Sequence, residues 1–168
     1  MITDAICLLL FPALMAFAAS SDLLTMTISN RVSLALAAGF GVMALATGMS
    51  GAELLPHLGA GFAVLAVAFM LFACGWIGGG DAKLAAVTAL WLGFDQLLSY
   101  LLYASLIGGA MTLLMIHLRT MPLPAALQGQ DWAERLHQRD GGVPYGIALA
   151  AAALLVYPHT TWMKALGM

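Results

Sequence analysis

The chain has 168 residues, of which 62% are hydrophobic and only 8% are charged. Soluble domains carry roughly 25% charged residues, so this chain has too little polar surface to cover a globule in water. The composition therefore predicts an integral membrane protein. The net charge of −2 gives no sign of nucleic-acid binding, and no nucleic-acid partner is expected.

The cysteines and histidines give no metal-binding pattern. Cys7 and Cys74 both lie in apolar runs, and the sequence contains no CxxC pair. We therefore expect the two cysteines to be small packing residues rather than zinc ligands. The histidines are scattered, and no pair has ligand spacing on one helix, so neither a metal nor another cofactor is expected.

Apolar runs close to the membrane-spanning length of about 20 residues recur along the chain. They predict an all-α, polytopic membrane protein with about six transmembrane helices in a single domain over residues 1–168. The fourth run is short, with only about a dozen residues. The runs cover approximately residues 5–20, 32–49, 58–77, 82–93, 96–118 and 143–162.

The basic residues indicate the orientation of these helices in the membrane. With six spans, Lys164 falls on one side and all other basic residues fall on the opposite side, which the positive-inside rule assigns to the cytoplasm. The predicted cytoplasmic segments are about 21–31, 78–83 and 119–142. The last of these is a candidate for gating or substrate recognition, because it is long and polar. The basic residues of the cytoplasmic side are Arg31, Lys83, Arg119, Arg135 and Arg139.

Two aspartates occupy unusual positions. Asp22 follows the first apolar run, Asp81 follows the triple glycine at 78–80, and the predicted topology places both on one side at one depth. Ionisable residues at membrane depth are costly and tend to be functional. Two carboxyl groups that share a proton can act together, one as a general base on water and the other as a proton donor to a carbonyl. Such a pair titrates as a unit, so neither role is assigned to a particular residue.

The two aspartates also fit roles outside catalysis. Asp81 is well placed to be the N-cap of the fourth predicted helix. Alternatively, both residues could bind a proton or a cation in a small membrane transporter or assembly subunit. Transporters usually place such acids near the middle of the membrane and often contain internal repeats. Here both aspartates lie at one edge and no repeat is evident, which favours a catalytic pair over a transporter.

Three segments, in order along the chain, carry a resemblance to a known family. The sequence GGGD at 78–81 resembles the GxGD motif of polytopic membrane aspartic proteases, and DAKL at 81–84 resembles the form of that motif in the prepilin peptidases. Upstream, SDL at 21–23 followed by ISN at 28–30 resembles the segment of the family that contains the first aspartate. Downstream, VPYG at 143–146 resembles the start of the last helix of the same family.

This resemblance implies a six-helix fold and metal-free catalysis by Asp22 and Asp81. It also implies the substrates, which are prepilin-like membrane proteins with a short basic leader followed by a hydrophobic helix. The leader would be removed at the cytoplasmic face of the bacterial inner membrane. The chain resembles the short form of the family, which is associated with tight-adherence (Flp) and related pili. The particular prepilin and the oligomeric state are left open.

The sequence departs from the family pattern in two places. Ser29 stands where the family usually has proline, so we expect a less rigid loop after Asp22. The chain also lacks the insertion with paired CxxC motifs that the long, bifunctional members contain. Those members methylate the new N-terminus of their product, and no N-methyltransferase activity is expected here.

Overall fold

The computed structural model describes residues 2–164, with side chains from residue 8 onward. All regular structure in this part of the chain is helical, which confirms the all-α class. The expected packing role of Cys7 concerns a side chain outside the described set. Two 3₁₀ turns, Ala125–Leu127 and Tyr157–His159, accompany the α-helices. The α-helices are α1 Ile2–Thr25, α2 Asn30–Ala46, α3 Gly51–Ala73, α4 Gly79–Leu118, α5 Asp131–His137, α6 Tyr145–Val156 and α7 Thr161–Lys164.

Length and apolar composition show which helices can cross a membrane. Four described stretches meet both conditions, and the 17-residue α2 is apolar but shorter. Large apolar side chains also cover the outside of the bundle; Leu45 is 86% exposed, Leu98 80% and Phe62 74%. A surface of this kind suits lipid rather than water. The four stretches are Leu8–Thr25, Gly51–Ala73, Gly79–Leu118 and Tyr145–Lys164.

Helix α4 is broken at Gly93. The backbone there has φ 66° and ψ 179°, a conformation that is essentially restricted to glycine. The break divides α4 into a first arm, residues 79–92, and a second arm, residues 94–118. The predicted boundary between the fourth and fifth apolar runs is thereby confirmed, as is the shortness of the fourth.

The chain reverses direction at this break. A Cβ atom built on Gly108 would overlap the ring of Tyr145, so the second arm touches the start of α6 there. The next residue, Gly146, packs on Ile28, and Ile28 also packs on Gly80 of the first arm. In one straight helix, residues 80 and 108 would be about 42 Å apart, at 1.5 Å per residue. Both instead lie at the same end of the bundle, so the two arms run antiparallel.

Aromatic side chains close the bundle at the reversal. Because the helix breaks at Gly93, the carbonyl groups just before it lack the N–H donors that a continuous helix would supply. The Leu90 carbonyl accepts from His57 Nδ1 at 2.9 Å, and the Trp91 carbonyl accepts from Trp162 Nε1 at 2.7 Å. Trp91 and Trp162 are therefore buried core residues, rather than the interfacial anchors that aromatic residues near helix ends commonly provide.

Several boundaries differ from those expected. Helix α1 continues through Asp22 to Thr25, so the expected segment 21–31 is a connection of only residues 26–29. Helix α4 begins at Gly79, so the expected segment 78–83 is mostly helical.

Cys74 is exposed at the C-cap of α3, so the packing role expected for it is wrong.

We expect Gly93→Ala to destabilise the protein by about 1–3 kcal/mol, because a side chain is strained at this backbone conformation. Its Cβ would also lie 3.2–3.3 Å from the His57 ring atoms. The measurement is thermal or SDS-induced unfolding in detergent. The control is Gly109→Ala in the second arm, where no atom lies within 4 Å of the new Cβ; this change is expected to be neutral or to stabilise by up to about 1 kcal/mol. Equal stability of the two variants would contradict the prediction.

Candidate active site

Asp22 lies in the last turn of α1 and is only 5% exposed. Its Oδ2 atom accepts a hydrogen bond from the backbone N–H of Gly146 at 2.7 Å. The helix ends shortly afterwards at Met26, whose φ of 55° is left-handed and whose N–H donates to the Asp22 carbonyl at 2.8 Å. The first and last long helices of the described chain therefore meet at this carboxyl group.

Gly146 can donate this bond because it lies in the first turn of α6, where backbone N–H groups have no partner within the helix. This contact also requires that residue 146 has no side chain. A Cβ atom at position 146 would lie 2.8 Å from Asp22 Oδ2 and 2.7 Å from Ile28 Cδ1. The glycine of the VPYG segment thus allows the Asp22 carboxyl group to approach the backbone.

Asp81 lies in the first turn of α4, two residues after the helix begins. The N-cap is Gly78, and it makes no side-chain capping bond. The alternative that Asp81 caps the helix is therefore wrong. Its Oδ2 atom lies 3.1 Å from the position that a Cβ atom on Gly78 would take, so the glycine leaves room for the carboxyl group. Among the described residues, no side chain or backbone group donates a hydrogen bond to the Asp81 carboxyl group.

The structure brings Asp22 and Asp81 to one site. Ile28 lies between them, because a Cβ atom on Gly80 would be 3.2 Å from Ile28 Cβ and one on Gly146 would be 2.7 Å from Ile28 Cδ1. We name this end of the bundle the aspartate end. Asp22 is almost fully buried, whereas Asp81 is partly exposed, so the site is open on the Asp81 side.

The connection between α1 and α2 is held by its own polar side chains. Ser21 Oγ and Thr25 Oγ1 both donate to the Thr27 carbonyl, at 3.0 and 3.2 Å. Ser29 is the N-cap of α2, and its Oγ accepts from the Arg31 N–H at 3.3 Å. Its φ of −64° is the value that a proline ring imposes. A proline would therefore fit the backbone at this position, and the serine adds a helix cap.

Two arginines dock the 119–142 segment against this site. Arg119 donates from Nε to the Leu136 carbonyl at 2.8 Å, from Nη1 to Gly141 at 2.8 Å and from Nη2 to Gly142 at 2.7 Å. Arg135 donates from Nη1 to the Leu24 carbonyl near the end of α1 at 2.9 Å. The segment is thereby fixed four residues before Gly146. From the sequence alone, these arginines indicate only the orientation of the helices in the membrane. Their hydrogen-bond acceptors are distant backbone carbonyls, which carry no sequence signal.

This geometry defines a class of protein, namely helical membrane proteins with two carboxyl groups at one end of the bundle. Residues 9–113, more than half of the chain and including both aspartates, match the model of the type IV leader peptidase family. The chain belongs to this family, as the resemblance to the prepilin peptidases indicated, and the family implies a peptidase. No curated protein and no solved structure matches the chain.

If Asp22 belongs to the catalytic pair, Gly146→Ala should reduce peptidase activity about 100-fold, the order of loss that follows a displacement of about 1 Å in an active site. The new methyl group would overlap Asp22 Oδ2 and Ile28 Cδ1, so the carboxyl group must move. The measurement is the rate of leader removal by the purified variant. Gly41→Ala is the control, because no atom lies within 4 Å of its Cβ. Activity close to that of the control would show that the contact at Gly146 is dispensable.

Arg119→Lys is expected to loosen residues 136–142. A lysine cannot reproduce the three-pronged contact of the guanidinium group, and hydrogen bonds from charged groups stabilise by about 1.5–3 kcal/mol. Amide exchange of Gln138 and Gly141, followed by mass spectrometry, should become at least about tenfold faster. Arg139→Lys changes an exposed neighbour and should leave the exchange rates unchanged. Equal exchange in both variants would mean that Arg119 does not hold the segment.

Proposed function

We propose that this protein is an aspartic endopeptidase that removes the short basic leader from prepilin-like membrane substrates, with Asp22 and Asp81 as the catalytic residues. The observation that carries the proposal is the convergence of the two aspartates at one end of the bundle, around Ile28. Both lie within the segment that matches the peptidase family. The difference in exposure supports it too, because substrate can approach the open Asp81 side.

The reaction would be a metal-free hydrolysis. One carboxylate takes a proton from water while the other carboxyl group donates its proton to the scissile carbonyl oxygen. The C–O bond forms and gives a tetrahedral diol. When the C–N bond breaks, the leaving amine takes up the proton that came from water, and a diol hydroxyl returns a proton to the second carboxylate as the carbonyl re-forms. The Gly146 N–H fixes the Asp22 carboxyl group during these steps. The pair titrates as a unit, so neither aspartate is assigned the role of base or of acid.

We further propose six membrane crossings with the aspartate end in the cytoplasm of a bacterial cell. The antiparallel arms of α4 supply two crossings, and α1, α2, α3 and the α6–α7 stretch supply the others. Arg119 and Arg135 contact the aspartate end, while Lys164 follows Trp162 at the opposite end. This distribution fits the positive-inside rule. Because a basic leader stays in the cytoplasm, cleavage there needs no transport of the leader.

The test is co-expression of the protein with a prepilin-like substrate, with leader removal followed on a gel. Asp22→Asn and Asp81→Asn keep the shape of the side chain and remove its acid–base chemistry. Each should reduce the rate by at least about 1,000-fold, within the range that general acid–base groups contribute. Asp95→Asn is the matched control, because Asp95 is exposed two residues after Gly93, at the opposite end.

Normal processing by either site variant would contradict the assignment of the catalytic pair. Mass spectrometry of the cleaved product tests a second part of the proposal, namely that the enzyme does not methylate the new N-terminus. A product that carries a methyl group when only this protein is co-expressed would contradict that part alone. The peptidase assignment would be unaffected.

A further inference from the structure

An open groove lies between α2 and α3. These consecutive helices touch through the rings of Phe40 and His57 and otherwise pack mainly on α4, so the first arm of α4 forms the floor between them. The groove has a volume of about 680 Å³, within the range of about 300–1,000 Å³ typical of ligand clefts. We call it the α2–α3 groove. Its apolar walls include Leu34, Ala37, Phe62, Leu65, Val87 and Leu90.

The polar end of the groove lies at the same depth in the bundle as the aspartates. Its polar lining is confined to one end, the mouth, formed by Asn30, Ser33 and Lys83. Lys83 is two residues past Asp81, and Asn30 is two residues past Ile28. Leu90 lies seven residues beyond Lys83 on the same arm, which is about 10.5 Å deeper. The groove therefore runs about two helical turns from the depth of the aspartates into the apolar part of the bundle.

The charge at the mouth limits what can enter. Lys83 Nζ donates to the Asn30 side-chain oxygen at 2.8 Å, and in the described part of the chain it meets no carboxylate. A basic segment would be repelled there, whereas an apolar segment would pass the ammonium group and contact only apolar walls. The wall residues Phe62 and Leu34 are 74% and 68% exposed, so they present side-chain surface that a partner helix could cover.

We propose that the α2–α3 groove binds the hydrophobic helix of the substrate, on the far side of the bond that is cleaved. This inference rests on the proposed function, since it names the subsite next to the same aspartates. A substrate with a basic leader followed by an apolar helix must present the bond between them to Asp22 and Asp81. The groove could receive the apolar part, because its polar end lies at the depth of that bond and its walls are apolar. Ala37 is a small, exposed residue in its lining, which allows a helix to pack closely there.

The experiment compares two substrates in nanodiscs. One is a full-length prepilin-like protein, and the other is a soluble peptide with the same cleavage site but without most of the apolar helix. Ala37→Phe fills the groove at an exposed position. It should lower the ratio of kcat/KM for the full-length substrate to that for the peptide by at least about tenfold. Ala110→Phe, at an exposed position of the second arm, should leave this ratio unchanged.

A second measurement keeps the proposal testable if Ala37→Phe does not fold. A photo-crosslinking residue in place of Phe62, combined with Asp81→Asn to prevent turnover, should capture the substrate helix. The same residue in place of Leu106, which is 60% exposed on the second arm, should capture much less. Capture at position 62 supports the groove as the binding site even without kinetic data from the filled variant.

The outcomes distinguish a failure of this inference from a failure of the proposed function on which it rests. If the wild type cleaves both substrates, an unchanged ratio in Ala37→Phe together with equal capture at positions 62 and 106 would overturn the groove assignment. The groove would then face lipid acyl chains only. If the wild type cleaves neither substrate, the proposed function itself fails, and the subsite fails with it.

Discussion

The hydrogen bond from the Gly146 N–H to Asp22 Oδ2 is the contact on which the arrangement of the site depends. It joins an amide with no helical partner to a carboxyl group that is 5% exposed. Hydrogen bonds to charged groups stabilise by about 1.5–3 kcal/mol, and a buried carboxylate without one is strongly disfavoured. The bond forms only because residue 146 has no Cβ. One glycine therefore determines both the position of α6 against α1 and the direction of the carboxyl group.

The reversal at Gly93 makes the second half of the site possible. It returns the second arm of α4 to the aspartate end, where Gly108 receives the Tyr145 ring beside Gly146. The carbonyl groups that the reversal leaves free are bonded by His57 and Trp162, so the opposite end is closed by buried aromatic side chains. The bundle is thus tightly packed at the reversal and open at the aspartate end, on the Asp81 side.

Local signals in the sequence predicted much of this architecture. Apolar runs indicate membrane helices because the bilayer requires them, and the break at Gly93 follows from the length of the fourth run. The meeting of Asp22 and Asp81 at one end was predicted from topology and ordered motifs. Contacts between distant elements were not predictable. The continuation of α1 through Asp22, the burial of Trp91 and the carbonyl acceptors of Arg119 all depend on neighbours that a single sequence does not identify.

The bilayer explains why a groove can persist beside the site. In water, the exposed walls of the α2–α3 groove would cost about 25 cal/mol for each Å² of apolar surface, which would favour closure of α2 onto α3. Lipid tails are as apolar as leucine, so this driving force is absent in the membrane. The contact of Lys83 with Asn30 and the bond from Trp91 Nε1 to the Leu36 carbonyl at 2.8 Å join α2 to α4 beside their packed side chains. For the same reason, a substrate helix that replaces lipid gains little from apolar burial, and its selection would depend on close packing against Ala37 and on the charge at the mouth.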